Sequence, residues 1–144
     1  MKLSFSGVDG IPMVQPGDDL VTLIHDGLTS MDEEFKDNDV VVIAQKIVSK
    51  AEDRYVDLTT VSPGAEAQRI ALEVDKDPRK VQAILDESNE VVRSRPGVLI
   101  VEHRLGFVQA NAGIDQSNIT NDDGEDDDLC LLLPLDADAS ARKI

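Results

Sequence analysis

Val40-Val41-Val42-Ile43-Ala44, running directly into Gln45-Lys46-Ile47-Val48-Ser49-Lys50, is the stretch on which the reading of the fold turns. Four β-branched residues in succession, without polar alternation, predict a strand covered on both faces, as at the centre of a sheet. Polar groups then arrive abruptly at its end, the position where α/β sheets present ligand-binding side chains.

Working outward toward the N-terminus, Lys36-Asp37-Asn38-Asp39 is a polar turn, and before it Leu20, Leu23, Ile24 and Leu28 fall at the three-four spacing of one buried helical stripe. Asp18 is the expected N-cap of that helix, after a break at Pro16-Gly17. Leu3 to Val8 and Ile11 to Val14 read as two extended pieces joined by the turn residues Asp9-Gly10.

Toward the C-terminus, Ser62-Pro63 signals a helix start for the stripe Ala67, Ile70, Ala71 and Val74. Asp77-Pro78 repeats the signal for Val81, Ile84, Leu85, Ser88, Val91 and Val92, a helix expected to end at Pro96-Gly97. Val98 to Val101 should pair with Phe107 to Ala110 through the bend His103-Arg104-Leu105-Gly106. Together these elements predict an α/β domain, with α+β as the alternative: a mixed sheet with a central buried strand, three main helices and a C-terminal hairpin.

The composition sets outer bounds. At 144 residues, 41% hydrophobic, the chain suits a single domain over 1–144 with a core of Val, Ile, Leu, Ala and Met, since aromatic residues make up only 3%. A formal charge of −15 argues against nucleic acid as a partner, because phosphate backbones are bound by clustered Lys and Arg. One cysteine, Cys130, cannot form an internal disulfide, and no run is apolar enough to span or target a membrane. A cytoplasmic protein with no membrane partner is the expectation. Residues 121–128 hold six carboxylates without an apolar residue, which predicts a mobile, solvated loop; the alternating ligand pattern of a calcium loop is missing.

Many chemical signatures are lacking: no glycine-rich phosphate loop, no dinucleotide fingerprint, no zincin motif and no cysteine pair for zinc. Two polar clusters interrupt the apolar runs. Gln45, Lys46, Ser49 and Lys50 bring two ammonium groups that suit an anion such as phosphate. Asn111-Ala112-Gly113-Ile114-Asp115-Gln116-Ser117-Asn118 offers a tight turn at Gly113 and a carboxylate at Asp115 suited to a divalent metal.

Several segments in order carry a resemblance. Ile11-Pro12 after Asp9-Gly10, Pro16-Gly17-Asp18-Asp19-Leu20 and Val41 to Glu52 resemble the opening of the coenzyme F420-0:L-glutamate ligase (F420 γ-glutamyl ligase) family. Arg95 to Glu102, Asn111 to Asn118, Leu131 to Pro134 and Asp136 to Ala141 resemble its successive motifs. The resemblance implies a GTP-dependent ligase that joins the amine of L-glutamate to a carboxylate of coenzyme F420-0 through an acyl phosphate. It implies that Ile11, Pro12, Met13, Val14, Gln45, Lys46, Lys50 and Asn118 line the guanine nucleotide, and that Asp115 ligates Mg²⁺ or Mn²⁺, with K⁺ a further candidate ion. No residue is assigned the chemical step. A homodimer is also implied.

The family continues past the equivalent of Ile144 into a second half carrying a Thr-Asp-Thr-x-Gly-Arg-like metal motif. Asp136 followed by helix formers just before Ile144 likewise reads as a helix cut short, because a single turn is not stable alone. The expectation is therefore the N-terminal part of such a ligase, lacking a complete site. The alternatives are a non-catalytic nucleotide-binding module, or a subunit completed by a second chain, and more remotely a relative that ligates an amino acid to a different carboxylate.

Overall fold

The structure is a computed structural model that describes residues 3–117, 119–121, 124–125 and 127–144. Its elements follow in order: α1 (Leu20–Ser30), α2 (Gln45–Ala51), β1 (Tyr55–Asp57), α3 (Ala65–Val74), α4 (Pro78–Asp86), β2 (Ser88–Arg95), β3 (Val98–His103), β4 (Val108–Ala110), β5 (Thr120–Asn121), β6 (Gly124–Glu125), β7 (Leu129–Leu131) and α5 (Ala137–Lys143). Short 3₁₀ turns cover Leu58–Thr60 and Asn111–Gly113. All strand pairing among the described residues is antiparallel, in the ladders β2-β3-β4, β1-β7 and β5-β6. Helices segregated from antiparallel strands make this a mixed α/β chain of the α+β kind.

The core forms where α3 and α4 lay their apolar stripes on the β2-β3-β4 sheet. Along β3 the inward face carries Leu99, Val101 and His103, all 0% exposed, alternating with half-buried residues as a two-residue period requires. Ala67, Ile70, Ala71 and Val74 of α3, with Val81, Ala83 and Ile84 of α4, cover that face. Asp77 caps α4, its carboxylate accepting from Arg79 N–H at 2.8 Å, and Pro78 occupies the first turn, where its missing N–H costs nothing. Asp19 rather than Asp18 caps α1, accepting from the N–H groups of Val21 and Thr22, while Asp18 instead accepts from Gln15 N–H. The stripe of α1 is as expected, with Leu20 and Ile24 buried.

Four expectations are corrected here. The helix that opens at Asp77-Pro78 stops at Asp86, and Ser88–Arg95 is a strand. Ser88, Val91 and Val92 continue the helical spacing, but the Pro96-Gly97 turn, with Gly97 at φ +78°, folds that segment back on β3 with Arg95 opposite Val98, leaving Val91 half-buried and Val92 exposed. The expected central strand at Val40–Ala44 joins no ladder; Val40 and Val42 are 84% and 87% exposed. The ladders β2-β3-β4, β1-β7 and β5-β6 leave this stretch out, so its apolarity marks a surface to be covered and not a strand already paired. Gln45 to Lys50 is then not a strand end but helix α2. The N-terminal pieces Leu3–Val8 and Ile11–Val14 likewise lie outside any ladder.

Of the acidic run 121–128, residues 122, 123 and 126 lie outside the described residues. Its C-terminal end is tied down: Leu58 N–H donates to Asp128 O at 2.7 Å, and Arg79 meets the Asp128 carboxylate at 2.8 Å. Among the described residues no helix is long and apolar enough to cross a membrane.

A second knot holds the C-terminal segment. The Glu87 carboxylate, 13% exposed, meets Arg104 Nε at 2.9 Å and Arg54 Nη2 at 3.3 Å. The same guanidinium groups donate to backbone oxygens of Leu133 and Leu135. His103, stacked on Phe107 with ring centroids 4.8 Å apart, accepts Leu105 N–H at Nδ1, so the neutral ring carries its proton on Nε2, 3.4 Å from Glu87. Burial lowers the His103 pKa below the usual 6.5, Arg104 adding to the effect and Glu87 opposing it.

Two measurements check this account. Ile84→Ala should cost about 2–5 kcal/mol in urea unfolding, as for other buried aliphatic truncations, whereas Leu72→Ala, on an exposed side chain, should stay within about 0.5 kcal/mol. Because His103 resists protonation in the folded state, the unfolded chain binds the extra proton below pH 6.5, so stability should fall as pH drops from about 7.5 to about 5.5. His103→Gln should flatten that slope.

Candidate functional site

Helix α2 has seven residues and no side-chain cap, since Ala44 occupies the N-cap position. Such a helix depends on tertiary contacts. Its C-terminal end is clasped by Gly17 N–H on Ala51 O and Arg54 N–H on Ser49 O, both at 2.9 Å. Its Lys46 and Lys50 stand four residues apart, on one face.

Lys46 reaches across 71 residues of sequence to donate to Ser117 O at 2.7 Å, and its ammonium lies 2.7 Å from Asp115 Oδ2. Asp115 Oδ1 accepts from Ser117 N–H at 2.8 Å and from Ser117 Oγ at 2.7 Å. Burial works to raise the Asp115 pKa, but Lys46 and the two Ser117 donors outweigh it and hold the carboxyl at about 2. The backbone of Asp115 is fixed independently: it exchanges hydrogen bonds with Leu131, at 3.0 and 2.8 Å.

The approach to Asp115 is tightly wound. Asn111, Ala112 and Gly113 occupy the left-handed region in succession, with φ +53°, +53° and +70°. For the first two this is strained backbone of the kind that collects at functional sites. Asn111 Oδ1 and Gln109 Nε2, buried in this turn, have no hydrogen-bond partner. A Cβ on Gly113 would lie 2.2 Å from Gln109 Nε2 and 2.8 Å from Leu133 Cδ1, so the position excludes a side chain on packing as well as on φ.

The N-terminus of α4 braces the far side of the loop. Lys80 Nζ donates to Gln116 Oε1 at 2.7 Å, and Gln116 Nε2 donates in turn to Asp127 O. Gln116 lies in the polar cluster the sequence offers, but Lys80 carries no motif and was not singled out; the hint for it was a cation just after a strong helix start. Lys50 is different from its neighbours. It is 6% exposed, and among the described residues its ammonium has no hydrogen-bond or ion-pair partner.

The expected site residues are only partly gathered. Lys46 and Asp115 touch, and Gln45 and Lys50 share α2 with Lys46. Ile11 and Met13 are exposed at 38% and 66%, Pro12 is exposed and Val14 is buried. Ile11 packs toward Gly27 on α1, and among the described residues no hydrogen bond or ion pair links Ile11 to Val14 with Gln45, Lys46 or Lys50. Asn118 lies outside the described residues. For a metal, Asp115 offers hard oxygen chemistry, but among the described residues no group of three His, Cys, Asp or Glu gathers to hold one. Asp115 thus fits as one contributed ligand, not as a complete metal centre.

A cationic helix set against an anchored, strained loop bearing a carboxylate, in a chain of net charge −15, defines a candidate anion-binding protein of the α+β class. Residues 10–144 match the F420-0:Gamma-glutamyl ligase family, and the chain belongs to that family. It is 46% identical, over its full 144 residues, to the Coenzyme F420:L-glutamate ligase of Methanothermobacter thermautotrophicus, of which it covers 55%. It is 39% identical over its full length to the protein of that name from Archaeoglobus fulgidus, covering 53%. To that of Natronomonas pharaonis it is 41% identical over 95% of this chain and 52% of the relative. The chain spans about half the length of these curated relatives.

Gly113→Ala should destabilise the fold by about 2–4 kcal/mol, combining left-handed strain with overpacking against Gln109 and Leu133. Chemical denaturation checks this, and a loss under 1 kcal/mol would show that the turn is not held as described.

Proposed function

We propose that this chain supplies the phosphate-binding part of a GTP-dependent coenzyme F420-0:L-glutamate ligase. The single observation that carries the reading is Lys50. Its side chain is 6% exposed and no carboxylate pairs with its ammonium among the described residues, so an anion arriving there meets a cation whose charge is not already spent. The anion proposed is the triphosphate of GTP, as the family resemblance implies, with Lys46 one helical turn away.

In this reading a carboxylate of coenzyme F420-0 attacks the γ-phosphorus of GTP. The bond from that phosphorus to the bridging oxygen breaks, and GDP leaves. The product is an acyl phosphate, whose carbonyl carbon the glutamate amine attacks, expelling phosphate and losing a proton to form the amide. Lys50 and Lys46 serve by placing positive charge where the transferring phosphoryl group spreads its negative charge. Gln45, Ile11 to Val14 and Asn118 are proposed to shape the guanine and ribose end. Asp115 is the ligand this chain would give to Mg²⁺ or Mn²⁺, a divalent ion that screens the triphosphate when bound; K⁺ would be an auxiliary ion.

A second reading is supported by the single carboxylate at the loop and by the exposure of Val40 and Val42. There the chain is a nucleotide-binding subunit whose apolar Val40–Ala44 stretch is covered by another chain, either a second copy, as in the homodimer the family resemblance implies, or a chain that completes the site.

Calorimetric titration with GTP tests the common core of both readings. Lys50→Met should keep the fold and weaken GTP binding about tenfold or more, the value of a charge-assisted contact to phosphate. Affinity equal to the unmodified chain removes Lys50 from the site. GTP-dependent incorporation of labelled glutamate into coenzyme F420-0 separates the two readings: turnover by a longer chain that includes residues 1–144 supports the first, and turnover that appears only when a separate second chain is added supports the second.

A further inference from the structure

We infer that Lys46 is a stand-in cation for Asp115, and that a divalent ion and a polyphosphate bind this loop cooperatively by exchanging that one ion pair. The inference rests on the reading just given, in which Asp115 faces the metal and Lys46 the phosphates, and it adds how the two are linked.

The geometry separates what holds Asp115 from what neutralises it. Position is set by the reciprocal backbone bonds to Leu131 and by the two Ser117 donors on Oδ1. Lys46 contributes only at Oδ2 and at Ser117 O, and both partners of the pair are about one-third exposed, at 28% and 31%. The carboxylate therefore stays aimed when Lys46 leaves. Oδ2 is the oxygen without a second donor, and the ammonium sits where a cation on that oxygen would sit.

The consequences follow from charge alone. A divalent ion arriving at Oδ2 meets a positive charge already in place, so in the nucleotide-free chain it competes with Lys46 and binds weakly. A triphosphate that draws the ammonium away leaves a half-buried carboxylate with its attraction for a cation unspent. By linkage, whatever factor the polyphosphate adds to metal affinity, the metal adds to polyphosphate affinity. The neighbouring cations cannot play this part. Lys80 is engaged with Gln116, Arg79 with Asp77 and Asp128, and Lys50 has no partner to give up.

The test uses the whole 144-residue chain and two separate probes. The first is Mn²⁺ alone, followed by the loss of its free-ion electron paramagnetic resonance signal. The second is GTP in EDTA, followed by calorimetry. Lys46→Met should tighten Mn²⁺ binding about tenfold and weaken metal-free GTP binding about tenfold, opposite shifts each the size expected for one charge-assisted hydrogen bond. Lys46→Arg, which keeps the cation, should behave like the unmodified chain in both assays. Circular dichroism confirms that each variant is folded.

Unchanged or weakened Mn²⁺ binding in Lys46→Met, with Asp115→Asn abolishing it, overturns the exchange while leaving Asp115 as the metal ligand. Mn²⁺ binding that survives Asp115→Asn unchanged removes the carboxylate from the metal site and takes both the exchange and that part of the proposed function with it. No detectable Mn²⁺ binding to any of these proteins, at millimolar metal, also overturns the exchange.

Discussion

Leu131 is the residue through which the two halves of the site are joined. On one edge of its strand, its N–H and C=O are both spent on Asp115; on the other, Tyr55 stands opposite it and Leu132 N–H donates to Arg54 O. That alternation is what an antiparallel middle strand provides, since a residue's two backbone groups point the same way and its neighbour's point back. Arg54 follows α2 by three residues, so the ladder places the lysines of α2 beside a carboxylate more than sixty positions away. Leu131 is 0% exposed, and its bonds are therefore made away from competing water. The ion pair between Lys46 and Asp115 follows from this arrangement and is not needed to create it.

The same economy governs the charges. In a chain this acidic, an exposed lysine has carboxylates to choose from and gains little by pairing. The cations that matter here are placed by helix starts and short helices: Arg79 and Lys80 just inside α4, Lys46 and Lys50 on α2. Arg54 and Arg104 converge on Glu87 and also satisfy the carbonyls of Leu133 and Leu135, which brings the segment after β7 across the sheet. Leu133 then presses on Gly113. The turn that delivers Asp115 is in this way confined from below by the strand and from above by a segment that the Glu87 knot holds down.

Much of the scaffold was legible because its signals were local and redundant. Asp77-Pro78 combines a cap, a fixed φ and a stripe, and the stripes of α1, α3 and α4 all pack as spaced. Ser88–Arg95 misled because Ser88, Val91 and Val92 continue the helical spacing of α4; the deciding fact is a long-range one, the pairing with β3. Val40–Ala44 misled in another way. Apolarity marks a surface that must be covered, but it does not say by what: Ile43 is half-buried against the described residues, while Val40 and Val42 stay exposed. At the site, residue type and ordered motifs pointed to Lys46, Lys50 and Asp115. Lys80 acts through geometry alone, and the parts played by Gln116 and Leu131 inside their motifs rest on long-range pairings that one sequence does not spell out.

Helix α2 links these threads. Lys46 faces the charged loop, Ser49 and Lys50 are buried, and Val48 lines an apolar groove of about 490 Å³ shared with Val41, Ile43, Phe107 and Leu133. A helix of seven residues with no side-chain cap has little stability of its own to resist a pull from either face. Covering the groove would fix Val48 and the preceding Val40–Ala44 stretch, and so fix where the Lys46 ammonium can reach. Drawing Lys46 off Asp115 would, conversely, release one of the few contacts that holds the helix in register. The apolar and ionic faces of α2 are therefore mechanically one unit, and the position of its lysines depends on what lies against its back.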